Sequence, residues 1–189
     1  TPADKCLSNI TVPSYINCGT SSAFNLSGEF TLEAWINPAS FGDDRKLFGK
    51  TNNSFNSGFV FGLQEGIYAE FWQPARTELK VGTLPSFYSW VHVAITFKPG
   101  GNATGYINGQ AVGTSAVGAT NLATNSEDFI IGIAPWDFGA LMILGQIDEI
   151  RIWNKERTSA QIQENLHKQL KGDETDLVAL YNLNEGVGT

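Results

Sequence analysis

The chain has 189 residues, of which 42% are apolar and 16% charged, and a net charge of −7. That length suits one domain, 1–189, because folding hides about 70% of the surface of a chain this size. The 12 basic residues are scattered, which argues against nucleic acid, and no apolar run approaches the about 18 residues of a membrane-spanning helix.

Cys6 and Cys18 come first in the chain. No His or second Cys stands near them at metal-ligand spacing, so two readings stay open, a disulfide or two separate buried thiols. The low-charge, secreted-looking composition favours the disulfide. Glycine (20), Phe (12) and Trp (5) then point to short strands and tight turns rather than long helices.

Phe30, Leu32, Ala34 and Ile36 alternate with Thr31, Glu33, Trp35 and Asn37, the period of a strand, between Gly28 and Pro38. Residues 39–46 read as a polar loop. Phe59, Phe61 and Leu63, a Gln64-Glu65-Gly66 turn, and then Ile67, Ala69 and Phe71 read as a hairpin over 58–72. Val91 to Phe97 is a further strand, closed by Pro99-Gly100-Gly101. Asn108-Gly109 predicts a hairpin turn with two positive φ angles. Residues 113–126 read as a loop or a poorly specified strand. Strands follow at 129–133, 147–153 and 177–183. Between the last two, Ile162, Leu166 and Leu170 fall four apart, predicting one short helix over 158–170. Thr158 or Ser159 caps it, Gln161 completes a capping box, and Gly172 ends it. The order is that of an all-β sandwich with one short helix near the C-terminus.

Five segments carry a more specific reading: FTLEAWINP (30–38), SWVHVAITF (89–97), GYINGQAV (105–112), GQIDEIRIWN (145–154) and LVALYNLNEGVG (177–188). In this order and spacing they resemble the laminin-G-like jelly-roll modules of the concanavalin A-like lectin/glucanase superfamily, which includes pentraxins. The resemblance implies a two-sheet antiparallel jelly-roll sandwich, one module of a larger protein. Its expected place is extracellular, at the cell surface or periplasmic, and its expected partner a glycan or a surface protein.

Because glucanases share that superfamily, paired carboxylates matter. Retaining hydrolysis needs two of them about 5 Å apart. Related laminarinase-type enzymes carry Glu-x-Asp-x-x-Glu; here Glu65 to Glu70 keeps both ends, but Ile67 replaces the middle Asp and Glu65 falls in a turn. His92 and His167 have no suggested nucleophile beside them. The chain is expected not to be an enzyme.

Trp35, Trp90 and Trp153 lie inside the family motifs and read as core. Outside them, alternation from Ile67 sends Tyr68, Glu70 and Trp72 to the face opposite the core. Sugars stack on exposed aromatic rings while carboxylates accept from their hydroxyls, so these three form a candidate saccharide site, with Trp136 and Asp137 on a nearby loop. The alternative is that Tyr68 and Trp72 pack under a loop or against another domain. In pentraxins the loop corresponding to 134–138 carries several calcium ligands; here only Asp137 matches. Asp148 in GQIDEIRIW resembles a residue that helps hold a structural calcium in related sandwiches, or else it satisfies nearby backbone N–H groups. The function expected is non-catalytic carbohydrate binding. A protein-interaction or spacer module is the alternative, and a glycoside hydrolase a distant third.

Overall fold

A computed structural model describes residues 7–8, 14–40, 44–52, 54–73, 75–137 and 141–183. Its strands are β1 (Leu7–Ser8), β2 (Ile16–Asn17), β3 (Phe30–Pro38), β4 (Arg45–Thr51), β5 (Gly58–Gln64), β6 (Gly66–Trp72) and β7 (Arg76–Val81). They continue with β8 (Val91–Phe97), β9 (Asn102–Ile107), β10 (Gln110–Ala116), β11 (Ile130–Ile131), β12 (Gly145–Trp153) and β13 (Leu177–Tyr181). A single α-helix, α1 (Ser159–Asn165), lies between the last two among the described residues.

The strands form two antiparallel sheets. A seven-stranded sheet runs β1-β12-β3-β8-β9-β10, with β13 also paired to β12; a six-stranded sheet runs β2-β11-β4-β5-β6-β7. The period-two pattern decides what lies between them. Phe30, Leu32, Ala34 and Ile36 of β3 join Val91, Val93, Ile95 and Phe97 of β8, facing Phe59, Phe61, Ile67 and Phe71 from the other sheet. Phe30 stands 5.1 Å from both Phe59 and Phe97, so aromatic rings interlock across the sandwich. This is the expected two-sheet jelly-roll sandwich.

The hairpins follow their turn residues. Glu65 takes φ +62 between β5 and β6, while Asn108 and Gly109 both have positive φ between β9 and β10. Two expectations shift. The polar stretch 39–46 yields the start of β4, because Arg45 and Lys46 pair with Leu63 and Gly62 of β5. Of the two readings open for 113–126, the edge strand β10 takes residues 113–116. The strand expected over 129–133 shortens to Ile130–Ile131.

The helix also stops earlier than the apolar spacing predicts. Thr158 and Gln161 form the capping box, but α1 ends at Asn165 rather than Leu170. The carbonyls at its end and just beyond it have other partners. Trp35 Nε1 donates to Leu166 O at 3.2 Å, and Arg151 donates to Asn165 O at 2.8 Å and Lys168 O at 2.9 Å. Side chains from the sheet thus do the capping that Gly172 was expected to provide.

Candidate functional site

The seven-stranded sheet's outer face lies beneath α1 and the chain that follows it. Trp153 Nε1 donates to Glu33 Oε1 at 2.8 Å, His92 Nε2 stands 3.3 Å from Glu33 Oε2, and all three residues are buried. Arg157 stacks on Trp153, 3.9 Å from the ring centroid. Trp35 and Trp153 are therefore buried as expected, though outside the main core, and Trp90 is half-buried. Burial acts to raise the Glu33 carboxyl, but the His92 contact, Arg151 and Trp153 outweigh it and hold the group below the usual carboxylate range. His92 is a structural partner of Glu33 in this arrangement.

On the six-stranded sheet, alternation holds along β6. Ile67, Ala69 and Phe71 join the core, and Tyr68, Glu70 and Trp72 face outward. Their register partners are Gly62, Val60 and Gly58 on β5, and Lys80, Glu78 and Arg76 on β7. Facing outward does not leave them bare. Tyr68, Glu70 and Trp72 retain 6%, 8% and 4% of their exposure, so the surface row expected from sequence is covered.

Two loops provide the cover. The 52–57 loop brings the Phe55 ring to 5.9 Å from Trp72, and Phe55 itself is 40% exposed with φ +50. The 134–137 loop lies on the sheet through Pro135, which occupies the space above Gly49; a Cβ there would come within 2.5 Å of the proline ring. The loop sets Trp136 edge-on to Phe55 at 4.8 Å. Trp136 and Asp137 are half-buried at this surface. The structure thus brings Tyr68, Glu70, Trp72 and Trp136 into one cluster and places Asp137 next along the loop.

The cluster's polar groups satisfy one another. Tyr68 donates its hydroxyl to Glu70 Oε1 at 2.6 Å. Arg76 reaches Glu70 Oε1 with one terminal nitrogen at 3.1 Å and Glu78 Oε2 with the other at 2.5 Å. Glu70 and Glu78 are direct cross-strand neighbours, and the guanidinium between them offsets a like-charge pair. Lys46, fully buried, pairs with Asp44 and lies over the Tyr68 ring at 4.6 Å. Gln64 Nε2 also donates to Asp44 at 3.1 Å. Burial, and then the carboxylates of Glu70, Glu78 and Asp44, push the Tyr68 phenol well above its ordinary value. The result is a partly open aromatic surface in which Phe55 rests on Trp72 and meets Trp136, with Lys46 against both the Trp136 and Tyr68 rings, bordered by a clamped ionic row.

Sequence reasoning missed Lys46, Phe55 and Arg76. Arg76, Glu78 and Lys80 alternate with Thr77, Leu79 and Val81, a readable strand period, and Phe55 is a lone aromatic in the polar stretch Asn52 to Ser57. Lys46 could not be read, because a bulge between Lys46 and Phe48 sets its direction.

The remaining candidates lie elsewhere. Glu65 is an exposed turn residue, away from the strand positions an acid pair would need. Asp148 is fully buried and accepts the Glu149 N–H at 2.8 Å. Among the described residues no three His, Cys, Asp or Glu side chains gather as a metal-holding group. Cys18 is a half-buried free thiol that accepts the Tyr181 hydroxyl at 3.1 Å, and burial pushes its pKa up. Cys6 lies outside the described residues.

Residues 11–163 match the laminin G family model of the Concanavalin A-like lectin/glucanases superfamily. The chain belongs to this superfamily. No curated protein sequence matches it significantly. Among solved structures it is similar to a Bacteroides ovatus protein provisionally designated carbohydrate-binding, at 22% identity and TM-score 0.66, covering 97% of this chain and 50% of that one. It is similar to domain 4 of an extracellular arabinanase from Geobacillus stearothermophilus, solved with arabinotriose, at 20% identity and TM-score 0.58, covering 73% and 66%. A pentraxin from Limulus polyphemus follows at 13% identity and TM-score 0.58, covering 85% and 79%. At such identities the likeness shows the lectin-like fold. The chain spans half the length of the Bacteroides ovatus protein.

Proposed function

We propose that this concanavalin A-like domain is a non-catalytic carbohydrate-binding module that works outside the cytoplasm. The saccharide rests on the outer face of the six-stranded sheet. Support comes from one observation above all: Phe55 stays 40% exposed and edge-on to Trp136 while seated on the buried Trp72. A rigid, partly open pair of rings offers stacking area with little side-chain freedom to lose. The roles within the candidate set therefore divide. Phe55 and Trp136 contact the sugar, Tyr68 and Trp72 support them from below, and Glu70, Asp137 and Arg76 border the contact and bond hydroxyls. The clamping of Glu70 supports a binding rather than an acid–base role, because Tyr68 and Arg76 already occupy its Oε1 oxygen. The experiment is a glycan array with the purified domain and its Phe55→Ala variant. The variant should lose the signals of the parent while melting at nearly the same temperature.

A second reading has its own support. Burial of Tyr68 and Trp72 suits a protein-interaction or spacer module in which the outer face is merely closed by its loops. An array on which the parent domain shows no signal favours that reading.

A further inference from the structure

We infer that the saccharide taken by this face is uncharged, an inference that rests on the carbohydrate reading above. Recognition of an acidic sugar needs a cation free to make paired hydrogen bonds with its carboxylate or sulfate, and arginine is best shaped for that task. Here both terminal nitrogens of Arg76 are engaged, one with Glu70 and one with Glu78. Freeing the guanidinium for a ligand carboxylate would strip the counter-charge from Glu70, whose side chain is only 11% exposed. It would also add a third negative group to the facing Glu70–Glu78 pair.

The second cation at the cluster is no more available. Lys46 is buried between Asp44, the Tyr68 ring and the Trp136 ring. At the open edge, Lys80 lies across from Tyr68, so the cations of the face are Lys46, Arg76 and Lys80. Against them stand Asp44, Glu70 and Glu78, with Asp137 on the adjoining loop. The balance is neutral to negative on a chain whose net charge is already −7. Approach of a polyanion is therefore opposed at long range, and at contact it meets the single exposed ammonium of Lys80 rather than the paired donors of a guanidinium. A neutral sugar keeps the clamp intact. Its hydroxyls accept from the exposed side of Arg76 and donate to the carboxylates, while its C–H face stacks on Phe55 and Trp136.

Affinity electrophoresis of the whole chain tests this, with gels containing neutral linear arabinan or mixed-linkage β-glucan, or anionic polygalacturonate or heparin. The expected result is retardation by a neutral polymer, changed less than about twofold by salt. Phe55→Ala should weaken that retardation by about tenfold or more. The anionic polymers should leave the parent chain unretarded, and Glu78→Gln, which releases half of the Arg76 fork, should begin to be retarded by polygalacturonate. Retardation of the parent by an anionic polymer that disappears in Phe55→Ala overturns the inference and keeps the carbohydrate reading. Absence of retardation by all four polymers overturns both.

Discussion

The Tyr68 hydroxyl donates to Glu70 Oε1 at 2.6 Å from two positions away on the same strand. The pair ties the aromatic cluster to the ionic row, since the same oxygen meets Arg76. Arg76 is the hub of that row, and its removal leaves Glu70 facing Glu78. Because Arg76 is more than half exposed, solvent screens much of this, and Arg76→Ala should cost about 1 kcal/mol. Urea melts should show most of the loss recovered in the Arg76→Ala/Glu78→Gln double variant, because the facing charge is then gone. A double variant no more stable than Arg76→Ala would remove the like-charge account.

Trp72 and Phe55 touch but should respond differently to truncation. Trp72 is buried under Phe55 against the sheet, so Trp72→Ala should destabilise by about 3–5 kcal/mol. Phe55 is largely open, and Phe55→Ala should stay within about 1 kcal/mol of the parent. Chemical denaturation of both variants measures the difference. Equal, small effects would mean that Trp72 is accessible after all.

Glu33 supplies an acid-sensitive element on the opposite sheet. Its folded carboxyl is held below the ordinary 4.5 despite burial, through His92, Arg151 and Trp153. A lowered pKa means the folded state holds the carboxylate more firmly than the unfolded chain does. The resulting stability is complete above about pH 4.5 and is lost as pH falls below that value through the lowered one. Glu33→Gln should flatten this acid limb, and should cost about 3–5 kcal/mol at neutral pH because Arg151 loses a buried partner. Melting temperature against pH, parent beside variant, reads both effects.

The N-terminal cysteines and Asp148 are testable together by chemistry and metal removal. If Asp148 also helps hold a structural calcium, a chelator should lower the melting temperature and calcium restore it; an unmoved melt leaves Asp148 as a cap of the Glu149 amide alone. Cys18, raised by burial, should alkylate slowly in the folded chain. A Cys6–Cys18 bridge closing about 13 residues would contribute about 3 kcal/mol. With Cys18 a free thiol, alkylating the denatured, unreduced chain should give two adducts; an unchanged mass would mean a bridge.

The sandwich was legible because its inner faces are written in period two. Phe30 to Ile36 and Val91 to Phe97 alternate without interruption, and every inward residue of these runs is core. The same rule gave the direction of Tyr68, Glu70 and Trp72. It could not give their exposure, because what covers an outer face comes from loops distant in sequence. Phe55 and Pro135 reach Trp72 and Gly49 through tertiary contacts that no local pattern encodes. The helix end was misread for a similar reason. Leu166 and Leu170 continue the apolar stripe, yet Arg151 and Trp35 claim the carbonyls near which the helix stops.

The central claim is that a sugar rests on Phe55 and Trp136. Saturation-transfer NMR tests it most directly, using a neutral oligosaccharide selected on the array and irradiating the protein's aromatic protons. The account predicts transfer to the protons of one sugar face with the parent domain, and its loss in Phe55→Ala and Trp136→Ala variants that still melt cooperatively. Undiminished transfer in both variants would contradict it and place the sugar elsewhere on the domain.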